Sequence, residues 1–107
     1  MKKIEKAMCE AVNAQKSWKS GNTEVRVRKS ISGNIEVAVY LFGNKIMEQY
    51  EDGDGKVEMF FSLAGWNTNT TRSRLNALGI EVRQKKGEPM WNGGRINPYG
   101  WYDALEV

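Results

Sequence analysis

The chain has no histidine and a single cysteine, Cys9, in 107 residues. The first absence removes the commonest general base and the commonest metal ligand together. It also excludes a Ser-His or Cys-His nucleophile pair. One cysteine forms neither an internal disulfide nor a cysteine-based metal site, and the usage fits a reducing cytoplasm. No apolar run approaches the roughly 20 residues of a membrane span. Basic residues open the chain at Met1-Lys2-Lys3-Ile4-Glu5-Lys6, but Glu5, Glu10, Asn13 and Gln15 interrupt any apolar stretch behind them. The N-terminus therefore does not read as a secretory signal. The G-x-x-x-x-G-K-[ST] spacing of a phosphate-binding P-loop is missing too. With acid/base work left to isolated carboxylates, no enzymatic activity, cofactor or metal is expected.

What remains suits one domain, 1–107, large enough for a modest core. At 40% apolar and 27% charged residues the composition is that of a soluble globular protein rather than a disordered one. The net charge of +3 is mild, but its distribution is uneven. Carboxylates concentrate at Glu48 to Asp54 and at Asp103 to Glu106. Cations gather at Arg26-Arg28-Lys29, at Arg72-Arg74 and at Arg83-Lys85-Lys86. Such poles orient an approaching partner.

Ile4, Ala7, Met8, Ala11, Val12 and Trp18 recur at helical steps, which predicts an amphipathic helix from Lys3 to Ser17 ended by Ser20-Gly21-Asn22. From Thr23 the period changes to two. Val25 and Val27 alternate with Glu24, Arg26 and Arg28; after a turn at Ser32-Gly33-Asn34, Ile35, Val37, Val39 and Leu41 alternate with Glu36, Ala38, Tyr40 and Phe42. This second strand is the best patterned and belongs at the centre of a sheet. Gly43-Asn44 suits a tight hairpin into Lys45 to Tyr50. Glu51-Asp52-Gly53-Asp54-Gly55 opens like a calcium loop but lacks the alternating ligand register and the glutamate at the twelfth position, so it reads as a solvated turn. Val57, Met59, Phe61 and Leu63 form one face of a fourth strand. Phe60 on the other face suggests cover from the C-terminal segment. A short helix follows, with Leu75 and Leu78 inward and Gly79 ending it, then a fifth strand from Ile80 to Lys86 and an aromatic, turn-rich end. The fold class is α+β: an N-terminal helix packed on a twisted antiparallel sheet, a short second helix and a β-rich C-terminus.

The stretch Gly65 to Gly79 is the candidate site. Thr68, Asn69 or Thr70 can cap the helix, and a polar loop at a helix start offers amides to phosphate or carboxylate. Thr68, Thr70 and Thr71 are candidate phosphate contacts, and Arg72 and Arg74 candidate charged ones. Trp66 sits at the strand-to-helix corner, where burial or, if exposed, base stacking are both open to it. A second candidate is a basic strand face carrying Arg26, Arg28, Arg83 and Lys85 with Lys86 behind, provided those strands are neighbours. A solvated face balanced by Glu24, Glu36 and Glu81 is the competing reading. The aromatic end (Trp91, Tyr99, Trp101 and Tyr102) is a candidate protein-binding hot spot.

The run Gly65-Trp66-Asn67-Thr68-Asn69-Thr70-Thr71-Arg72-Ser73-Arg74-Leu75-Asn76 resembles a signature of small uncharacterised proteins of tailed bacteriophages. Val39 to Ile46 and the tail from Val82 through Tyr102 are similar as well, so the resemblance covers Thr23 to Tyr102 and leaves the first helix outside. Phe42 departs from the pattern, since many of those proteins carry histidine there. The resemblance implies phage or prophage origin and no reaction. Two functions are expected on this reading, both in the cytoplasm of an infected bacterial host and neither at a membrane. One is nucleic-acid binding through the basic surface. The other is inhibition of a host protein, such as a component of a defence system like CRISPR or of the transcription machinery.

Overall fold

The computed structural model describes residues 1–105; Glu106, last of the acidic C-terminal group, and Val107 lie outside the described residues. Helix α1 (Lys3–Ala14) buries Met8, Ala11 and Val12, as the periodicity predicts, and also buries Glu5. It stops at Ala14 because Gln15 turns left-handed (φ 53°), and the Lys16 amide then donates to the Ala11 carbonyl at 3.0 Å. Trp18 is therefore not on the helix face. It opens strand β1 (Trp18–Ser20) and pairs in register with Val25 of β2 (Thr23–Lys29). The Gly21-Asn22 pair, expected to end the helix, is the turn between these strands.

Strands β3 (Ile35–Leu41), β4 (Asn44–Glu51) and β5 (Val57–Phe61) continue the antiparallel sheet. With the C-terminal strand β9 (Tyr102–Asp103) at one edge, the order β1-β2-β3-β4-β5-β9 puts β3 inside, as its patterning suggests, with Val37, Val39 and Leu41 in the core. Ala38 on the opposite face is buried too, flanked in register by Arg26 and Glu48. The β3–β4 turn consists of Phe42 and Gly43, one residue earlier than the Gly43-Asn44 expected. Both have positive φ (51° and 78°), as a two-residue turn matching strand twist requires. Between Val39↔Met47 and Tyr40↔Lys45 the register shifts, leaving Ile46 as an extra residue. This bulge lets the consecutive Ile46 and Met47 both be buried, against simple alternation.

Helix α2 (Asn69–Ala77) closes with the Ile80 amide donating to Leu75 and that of Gly79 to Asn76, with Gly79 at φ 89°. This glycine-ended motif satisfies carbonyls the helix leaves open. Leu75, wholly buried, docks the helix between α1 and the sheet. Ile80 and Val82 are buried as predicted, but the segment does not join the main sheet. The free edge of β5 is taken by β9 (Tyr102–Asp103), through Phe60↔Asp103 and Phe61↔Tyr102. Strands β6 (Arg83–Lys85), β7 (Glu88–Trp91) and β8 (Gly94–Arg95) instead form a separate three-stranded sheet. The C-terminal segment thus extends the sheet beside Phe60 rather than covering its face; the Phe60 ring meets Tyr50 edge-on at 6.5 Å. The architecture is α+β. No helix among the described residues is long and apolar enough to cross a membrane.

Candidate functional site

Arg74 is the largest correction to the sequence reading. Its guanidinium points inward, where Nη1 donates to Glu5 Oε2 at 2.9 Å, Nε to Thr23 Oγ1 at 3.0 Å and Nη2 to Asn22 Oδ1 at 3.4 Å. Ser73 Oγ donates to the same Glu5 oxygen at 2.5 Å. Burial works to raise the Glu5 carboxyl, but the bonds from Ser73, Arg74 and the Lys2 amide outweigh it and hold it below its ordinary value. Glu5 falls on the apolar stripe of α1, three residues before Met8; a carboxylate at that position is the signal that a buried cation awaits it. Arg74 thus clamps α2 to α1 and the sheet and is absent from any surface for anions.

Thr71 is internal as well. Thr68 caps α2, its Oγ1 accepting from the Thr71 amide at 3.1 Å and lying 2.9 Å from Thr71 Oγ1. Two of the three threonines are thus occupied by the cap, while Thr70 remains half-exposed without a side-chain partner among the described residues. Cys9 is equally structural: its thiol donates to the Ala77 carbonyl at 3.2 Å, and burial, then the Glu5 charge, raise its pKa.

The basic strand face does not assemble as predicted, because Arg26 and Arg28 lie on β2 while Arg83 and Lys85 lie on the other sheet. On the outer face of β2, β3 and β4, each cation has a carboxylate. Arg26 meets Glu24 at 3.1 Å, Arg28 meets Glu36 at 2.9 Å and Lys45 meets Glu48 at 3.3 Å. Arg26 also stacks 4.0 Å over the Tyr40 ring. Burial, then the bond to Glu48, push the Tyr50 hydroxyl up to about 12. Three cations against three carboxylates leave little pull on phosphate, so this face matches the solvated, balanced reading.

A different cationic surface forms at the small sheet. Cross-strand partners share a face of a pleated sheet. The registers Lys85↔Glu88, Arg83↔Met90 and Met90↔Arg95 therefore put Arg83, Lys85 and Arg95 together on the outward side, with Pro89 and Trp91 on the inward one. Lys86 is at the β6–β7 turn (φ 51°) beside Gly87. Asn67 Nδ2 donates to the Gly87 carbonyl at 3.2 Å, while Asn67 Oδ1 accepts from Arg72 Nη1. Arg72 Nη2 reaches Asn69 Oδ1 at 2.6 Å. Asn67 therefore ties Arg72 to the Lys86 turn, and the partners of Arg72 are amide oxygens that leave its charge uncancelled. Of these five cations only Arg83 has a carboxylate within 4 Å among the described residues, Glu81 at a loose 3.8 Å. Arg95 and the bridging Asn67 were missed in the sequence, because a two-residue strand and a side-chain bridge leave no periodicity to read.

Beside this surface lies a groove of about 510 Å³. Its floor is Leu41, Ile46 and Leu63; its walls are Phe42 and Trp66, which are 70% and 59% exposed; Asn44, Thr68 and Thr70 edge it. Both turns that frame it are left-handed. A bulky side chain at the positive φ of Phe42 costs on the order of 1–3 kcal/mol, and Ala64-Gly65 repeats the geometry at φ 54° and 83°. Tyr99 lies over Gly65, close enough that a Cβ there would come within 2.5 Å of its ring.

The aromatic end divides. Trp91 and Tyr102 pack on Phe61 at 5.0 and 5.8 Å between centroids, and Tyr102 accepts from the Asn97 amide at 2.7 Å. These two hold the small sheet to the large one. Tyr99 and Trp101 remain open to solvent, 77% and 46% exposed. In the acidic loop, Asp52 Oδ1 accepts from the amides of Asp54 and Lys56 at 2.9 Å each, the pattern of a self-bonded turn.

No curated protein and no solved structure matches this chain. A family model described as Kyanoviridae Gp96 protein matches residues 1–106, so the likeness includes the first helix, which the motif comparison left outside. With its Gly65–Asn76 corner and its N-terminal helix both inside that match, the chain belongs to the Kyanoviridae Gp96 protein family, a family of bacteriophage proteins.

Proposed function

We propose that the chain is a small, non-enzymatic phage accessory protein that binds nucleic acid in the cytoplasm of the infected host. The binding surface is the outward side of the small sheet together with the start of α2. Arg72, Arg83, Lys85, Lys86 and Arg95 contact phosphates, and Trp66 lies at the end of the strip. The observation that carries this reading is the Asn67 bridge, which joins Arg72 to the Lys86-Gly87 turn and makes one cationic surface from two distant stretches of chain. Among the described residues five cations face two carboxylates there, Glu81 and Glu88, whereas the β2 face is balanced. Arg74 and Thr71 have no part in it.

Binding of this kind weakens with salt, by a slope of about 0.7 per phosphate neutralised on single strands and 0.9 on duplex. Titration of DNA and RNA oligomers against salt tests the proposal. Arg72→Ala and the pair Lys85→Ala with Lys86→Ala each flatten the slope, while Arg26→Ala leaves it unchanged. Absence of binding to either nucleic acid at low salt removes the proposal.

The exposure of Tyr99 and Trp101 favours a second reading, inhibition of a host protein in a defence system or the transcription machinery. Stoichiometric capture of one host protein by the chain, lost on Tyr99→Ala and Trp101→Ala, is its expected result.

A further inference from the structure

Resting on the nucleic-acid reading, we infer that the groove between Phe42 and Trp66 receives an unpaired base, so that the ligand is single-stranded. Three features of the groove point to this occupant. The first is its walls. Phe42 and Trp66 present flat aromatic surfaces to solvent, and one base fits against such surfaces whatever its identity, because every base has a π-face. The second is the contrast between floor and edge. Leu41, Ile46 and Leu63 make an apolar floor, while the Thr70 hydroxyl and the Asn44 amide stand at the rim. A base is apolar on its faces and carries donors and acceptors at its edges, which matches both.

The third is the charge next to it. Arg72 lies on the first turn of α2, directly after the threonines of the rim, with amide oxygens as its only partners among the described residues, and Asn67 links it to the Lys86-Gly87 turn. A strand whose base enters the groove carries its phosphates past cations that no carboxylate of the described residues neutralises. An aliphatic peptide side chain would use the floor but leave the rim and this charge unused. A duplex keeps its bases stacked inside and offers nothing that enters the groove. The left-handed backbone of Phe42 supports the same conclusion. That turn position favours asparagine or glycine, yet here it projects a large ring into solvent, where packing gives no reason for it.

The test is fluorescence anisotropy with three probes of about ten nucleotides, within the usual site size for such surfaces. They are a single strand, the duplex of the same sequence, and a strand of the same length without bases. The single strand binds tighter than the other two, by roughly five- to hundredfold per stacked base. Phe42→Ala and Trp66→Ala each lose that margin; Phe42→Ala, at a position outside the cationic surface, leaves duplex binding as it was, and Phe42→Tyr keeps the margin. Quenching of tryptophan fluorescence by the single strand, absent in Trp66→Phe, reads the same contact without altering Phe42. If duplex and baseless strand bind as tightly as the single strand, the base-in-groove inference falls and the cationic surface stands alone. If no probe binds, both fall. A host protein captured by the wild type and lost with Phe42→Ala would give the groove to a protein partner and overturn the inference.

Discussion

Arg74 Nη1 lies 2.9 Å from Glu5 Oε2 in an ion pair whose side chains are 6% and 4% exposed. The pair joins residues 69 positions apart and locks α2 against α1. Thr23, Asn22 and Ser73 supply the further bonds that a buried charge needs, and no buried side-chain polar atom among the described residues lacks a partner. Removing one member leaves the other charged and dry. Glu5→Ala or Arg74→Ala therefore costs about 3–5 kcal/mol in urea unfolding. Replacing both by Met costs less than the two single losses together, because no orphan charge remains. A single-variant loss below about 1 kcal/mol would mean that water reaches the site.

Acid weakens the same clamp. Glu5 has its folded pKa below the ordinary value, so the folded state takes up that proton less readily than the unfolded chain. The stabilisation is whole above the ordinary glutamate value of about 4.3, and is lost as the pH falls through the depressed folded value. Melting temperature measured down to strongly acid pH shows a steeper decline for wild type than for Glu5→Gln. Parallel acid limbs in the two proteins would take Glu5 out of the account.

Leu75 is fully buried beneath α2 and has no polar duty. Leu75→Ala costs about 2–4 kcal/mol through the cavity it leaves. A melting shift near zero for this variant would show that α2 is not docked.

Gly65 sits at φ 83° under the Tyr99 ring. Gly65→Ala meets both the backbone preference and the ring, with a cost of roughly 1–3 kcal/mol. Adding Tyr99→Ala removes the collision but not the backbone cost, so stability recovers in part. Full recovery in the double variant would assign the whole effect to the ring.

The local signals in the chain were sound where a single element decides the outcome. The alternation from Ile35 to Leu41 placed a central strand with its inward valines in the core, and Thr68 and Gly79 bracket α2 where capping chemistry asks for them. Errors arose where a neighbour decides. The helix reading runs on to Ser17 and counts Trp18 on its apolar face, because apolar spacing cannot show that Gln15 turns left-handed and that Val25 awaits Trp18 across a strand pair. The strand read from Ile80 to Lys86 is shorter, Arg83–Lys85, and the proviso that it neighbours β2 fails, since it pairs in the small sheet while β9 claims the edge of β5. The candidate site was legible as a stretch and not as a surface: Thr68, Thr70 and Arg72 lie on it, while Arg74 and Thr71 turn inward.

Composition and local pattern by themselves determined the α+β class, the absence of histidine chemistry and the glycine that ends the second helix, since each depends on residues near one another in the chain. Only the tertiary structure decided which cations face solvent. Burial of Arg74 depends on a carboxylate carried by another helix, and release of Arg72 depends on an asparagine bridge to a distant turn. Coulomb interactions and desolvation act through space, and the order of residues along a chain does not specify those distances until it has folded.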